Sequence, residues 1–66
     1  MKATKLQLDL MQEVLDGKAD TATLLFCFNF ADSVEGRTYW YDQIEAEELS
    51  IDAKENLAAI IAANKE

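Results

Sequence analysis

Thirteen Asp and Glu side chains, one cysteine and no histidine set the chemistry open to this 66-residue chain. Without histidine, the commonest general base and the commonest metal ligand are both missing. Cys27 lies within Leu24-Leu25-Phe26-Cys27-Phe28-Asn29-Phe30. An apolar setting raises a thiol's pKa and makes it inert, so a core cysteine is expected there. Ser33 has no base in view and reads as a helix cap. Asp42, Glu45 and Glu48 recur every three residues, with Glu47 and Asp52 nearby. Such a row can hold a hard cation through carboxylate oxygens, but no loop of calcium-binding spacing accompanies it. A solvated acidic helix face explains it as well. Gly17 and Gly36 are isolated, so no glycine-rich phosphate cradle exists. The chain is therefore expected to bind something rather than to catalyse a reaction, with no cofactor.

Binding chemistry is better represented. Arg37-Thr38-Tyr39-Trp40-Tyr41 gathers the residue types that dominate protein interfaces. Trp40 is expected to point into the core. Tyr39 lies about 100° from it on a helical wheel and is expected to face out. The candidate contact set is Arg37, Tyr39, Trp40, Tyr41, Asp42, Glu45 and Glu48. From Asp32 onward there are nine acids against three bases. Acidity on that scale steers a protein toward a basic surface, and it also serves plain solubility.

The composition limits the partners. The formal charge is −7 and the six basic residues are scattered, which argues against direct binding to nucleic acid or to an anionic membrane. No stretch approaches the roughly 20 apolar residues of a membrane span. Residues 1–9 are too polar for a signal-peptide core, and with one thiol the expected compartment is the cytoplasm. A single cysteine permits no intrachain disulfide. Half the residues are hydrophobic, a high share for so short a chain. Some of that surface is expected to lie between copies, as a homo-oligomer.

The periodicity predicts one all-α domain over 1–66, a compact, self-associating bundle of three to four short helices. Residues 4–16 form the first helix, with Leu6, Leu10 and Val14 beside Leu8, Met11 and Leu15 as its apolar stripe. Gly17 suits its C-terminal cap. Asp20 is a candidate cap for a second helix from Thr21 to about Phe30. Leu24, Phe26, Phe28 and Phe30 also alternate as in a strand, and both readings place the run centrally in the core. Ser33 caps a third helix running to about Glu47, on which Arg37, Trp40, Tyr41, Ile44 and Glu48 share a face. Ser50 caps a fourth, with Ala53, Leu57, Ile60 and Ile61 turned inward.

The segment from Phe28 to Trp40 resembles a pattern common in small bacteriophage-encoded proteins. In that pattern an aromatic pair precedes a Ser/Thr-x-Glu/Gln-Gly turn, and an aromatic-Trp pair then opens a helix. Here the turn is Ser33-Val34-Glu35-Gly36, the pair is Tyr39-Trp40, and the hydrophobic Ile44 follows. Phe30 and Val34 stand where the pattern often has Trp and Pro. The resemblance covers about a quarter of the chain and carries no catalytic residues. It implies a phage or prophage origin, and a role in binding and modulating a host protein, such as a component of bacterial antiviral defence. Two other readings stay open. One is an acidic mimic of nucleic acid that occupies a basic channel. The other is an oligomeric small-molecule binder, with Arg37, Tyr39 and Trp40 stacking on a nucleotide base.

Overall fold

The computed structural model describes residues 3–27 and 33–64, with Cys27 described in its backbone alone. The protein is all-α. The first helix, α1, spans Lys5–Leu15. Thr4 starts it with a reciprocal cap: its hydroxyl accepts from the Gln7 amide at 3.1 Å, and the Gln7 side chain accepts from the Thr4 amide at 2.9 Å. Gly17 ends it at φ +75°, in the left-handed region. The Lys18 amide bonds back to the Glu13 carbonyl at 2.8 Å and the Gly17 amide to the Val14 carbonyl at 3.1 Å. That pair of bonds satisfies the helix's last carbonyls. A Cβ on Gly17 would meet nothing within 4 Å, so glycine is needed there for its backbone angle, not for space.

The second helical stretch opens as a single 3-10 turn, Thr21–Thr23, and continues as α2, Leu24–Cys27. No strand occurs among the described residues, which removes the strand reading for 21–27; Phe28, Asn29 and Phe30 lie outside them. Asp20 has the extended backbone of a cap, but its side chain caps nothing. Instead the Thr23 hydroxyl donates to the Asp20 carbonyl at 2.8 Å. This local bond and the 3-10 geometry go together, since both tighten the first turn. The expected central burial of the run is corrected as well. Leu24 is fully buried, whereas Leu25 and Phe26 keep nearly half their surface exposed.

The third helix, α3, spans Val34–Glu45, with the Gly36 amide bonded to the Ser33 hydroxyl at 3.0 Å. It stops two residues short of the expected Glu47. Glu47 adopts φ +62°, and its amide turns back to the Ile44 carbonyl at 3.0 Å. A non-glycine residue rarely takes that conformation, so nothing in its type announces the stop. The fourth helix, α4, spans Ile51–Asn64 and is capped by Ser50, whose hydroxyl accepts from the Ala53 amide at 3.1 Å. The Ser50 amide in turn donates to the Gln43 side chain at 2.9 Å, tying the end of α3 to the start of α4.

The helices form two groups. α1 packs chiefly on α4, while α3 packs on the 3-10 turn and α2. The α1–α4 pair runs antiparallel: the Ala3 amide donates to the Asn64 side chain at 3.0 Å, and Val14 and Leu15 lie near Leu49 and Lys54 at the other end. Met11, Val14, Leu24, Trp40, Leu49, Ala53, Leu57 and Ile61 make one core that joins the groups. On α4 the buried positions are the expected ones, with Ile60 at the margin. On α1 the stripe is narrower than expected. Met11 and Val14 form its centre, and Leu6 is 65% exposed. The radius of gyration, 10.7 Å, is that of a folded globule of this length.

Candidate protein-interaction face

α3 is the element on which the candidate residues converge, and its wheel separates them sharply. Trp40 is buried at 7% exposure and marks the inward direction. Ile44 lies about 40° from it and Arg37 about 60° on the same side, both half-buried. Gly36, Gln43 and Tyr39 occupy the opposite flank and are also half-buried. The remaining arc is exposed and holds Val34, Glu35, Thr38, Tyr41, Asp42 and Glu45. The inward and outward arcs do not interleave.

This arrangement corrects the two tyrosines. Tyr39, expected outside, packs against the core cluster. Its ring meets Trp40 edge-on, with centroids 5.2 Å apart and planes at 85°, a favoured aromatic geometry. Tyr41, expected on the same inward face as Trp40, is 41% exposed. The two lie at about 100° on either side of Trp40, so the wheel alone treats them alike. Wheel neighbours do not break the tie, since Ile44 and Arg37 lie on the Tyr41 side; tertiary packing does, covering Tyr39 against the core and leaving Tyr41 open. Trp40, at 7% exposure, offers little ring face on which a base could stack.

The acid row is corrected too. Asp42 and Glu45 stand exposed in the last turns of α3, but Glu48 lies beyond the helix end and does not share a face with them. The left-handed turn at Glu47 breaks the three-residue spacing. Among the described residues, no group of three or more acids or cysteines gathers closely enough to hold a metal ion. Asp20, Glu45 and Glu47 instead rim a shallow groove with Thr21, Ala22 and Ile44. Thr21 is buried there, and its hydroxyl donates to the Ile44 carbonyl at 3.3 Å, fastening the 3-10 turn to α3. The expectation of an inert Cys27 thiol lies outside the described side chains.

Three residues of the outward arc, Val34, Glu35 and Thr38, were not among the candidates, and the first and last of them share the Tyr41 stripe. Val34, at the first position of α3, is 66% exposed and lies on the Tyr41 side of the helix, seven residues before it. Thr38 lies between them along the same stripe and is exposed. The signal for both is the spacing 34, 38, 41, 45, which is one helical stripe once Tyr41 is known to face out. The resulting face is a valine and a tyrosine ring bordered by the carboxylates of Glu35, Asp42 and Glu45. It offers apolar contact area and hydrogen-bonding groups. No described helix is long and apolar enough to cross a membrane. No family model, curated protein or solved structure matches the chain.

Proposed function

We propose that this chain is a small phage-type accessory protein that acts without catalysis, by docking the outward face of α3 on a host protein and modulating it. The observation that supports this reading is the exposure of Tyr41, next in sequence to the buried Trp40, and of Val34 on the same helix face. Large apolar side chains held in the open at fixed helical spacing supply the anchor contacts of a protein interface at little ordering cost. The resemblance of the Ser33-Val34-Glu35-Gly36 turn and the Tyr39-Trp40 pair to the phage pattern supports a bacterial host protein as the partner. Antagonism of an antiviral-defence component is the sharper form of this proposal.

The test is retention from a bacterial lysate by the tagged full chain, with Val34→Asp and Tyr41→Ala as paired controls. The expected result is a host protein held by the wild type at low and moderate salt and lost from both variants. Equal retention by all three, or no host protein retained at all, contradicts the reading.

A further inference from the structure

The charge on the outward arc of α3 narrows the partner, on the assumption that this arc is the docking face. Its exposed charged residues are Glu35, Asp42 and Glu45, all acidic. Arg37 belongs to the inward side of the wheel and is half-buried. Beyond the helix end, Glu47 and Glu48 are exposed, and Asp52 follows in the first turn of α4. The apolar centre of the face, Val34 and Tyr41, is thus bordered by carboxylates on its outward side, with the half-buried Arg37 one turn from each on its inward side. Two such faces brought together would set carboxylates against carboxylates, which disfavours a second copy as the occupant. An anionic lipid surface or a phosphate backbone meets the same repulsion. An apolar ring framed by acids is complementary to a basic protein surface with an apolar recess at its centre.

We propose that α3 docks by inserting Tyr41 into an apolar recess on a Lys/Arg-rich surface of the partner protein, with Asp42 and Glu45 pairing to the surrounding cations. Tyr41 supplies the anchor, and the carboxylates supply orientation and the rate of encounter. Binding therefore weakens as salt rises, more steeply than an apolar contact would.

A photo-crosslinking residue placed at position 41 of the full chain, irradiated in bacterial lysate, identifies the protein against this face. Binding is then measured with that purified protein for the wild type, for the double variant Asp42→Asn with Glu45→Gln, and for Glu55→Gln on α4 as the control. The expected adduct is to a Lys/Arg-rich segment. The double variant is expected to bind roughly tenfold more weakly or worse, with a shallower salt dependence, and Glu55→Gln to bind as the wild type. Raising salt from about 50 mM to about 500 mM should weaken wild-type binding by a similar factor. A partner joined through a neutral or acidic segment, or a double variant that binds as well as the wild type, overturns the charge assignment and leaves the protein-binding reading intact. An adduct to a second copy of the chain, or no adduct, overturns both.

Discussion

The α1–α4 pair and α3 solve the same packing problem in opposite ways. On α4 the inward positions Ala53, Leu57 and Ile61 are aliphatic, and alanines fill much of the exposed surface. α1 is closed at both ends by complete caps. That pair is built to be stable. α3 places its aromatic residues on both sides of the helix. Trp40 and Tyr39 anchor it, whereas Tyr41 and Val34 remain in the open. Its last carbonyls are closed by a glutamate in a left-handed conformation where glycine would be easier. Both groups leave apolar side chains in the open, Leu6 and Ile51 on the α1–α4 pair and Val34 and Tyr41 on α3, but the aromatic ring among them belongs to α3 and the α1–α4 pair has none.

The largest losses are expected at the core that the two groups share. Leu57→Ala removes a fully buried side chain from α4 and is expected to cost about 2–5 kcal/mol; Trp40→Ala in α3 should cost about 3–5 kcal/mol. A domain this short holds only about 3–5 kcal/mol in total, so urea unfolding followed by circular dichroism should find both variants largely unfolded. A stable Trp40→Ala protein would mean that α3 is not anchored as described. The outward side of α3 should behave differently. Tyr41→Ala is expected to change stability by less than about 0.5 kcal/mol, because the ring is exposed, while weakening partner binding by about 2 kcal/mol. Calorimetry on the partner complex beside a thermal melt checks both numbers.

Smaller effects sharpen the comparison at the helix ends. Ser50→Ala and Ser33→Ala each delete a hydroxyl that accepts from a backbone amide, and each should cost about 1 kcal/mol in the same urea assay. Glu47→Gly should stabilise the protein, by about 0.5–1 kcal/mol, since glycine takes φ +62° without a Cβ penalty. A destabilised Glu47→Gly protein would show that the Glu47 side chain contributes more than its backbone angle costs.

Much of the fold was legible because caps and periodicity are local. Ser33, Ser50 and Gly17 announce helix ends by their own chemistry, and each acts where expected. The inward face of α4 follows directly from the spacing of Ala53, Leu57 and Ile61. What was not legible depends on tertiary context. Tyr39 and Tyr41 are equivalent about Trp40 until a neighbouring element covers one side. Leu6 looks like core by period, yet the buried stripe of α1 is centred on Met11 and Val14. The end of α3 is not marked in the sequence, because Glu47 carries no turn signal, and the left-handed turn there takes Glu48 out of line with Asp42 and Glu45. Leu49 lies in the α3–α4 connection, where no periodicity marks it as buried.

In the proposed complex the outward face of α3, and not the α1–α4 surface, meets the partner. Backbone amide exchange measured with and without the captured protein tests it most directly. The account predicts new protection over 34–45 and unchanged exchange along α1 and α4. Protection confined to α1 or α4, with 34–45 exchanging as in the free chain, would contradict it.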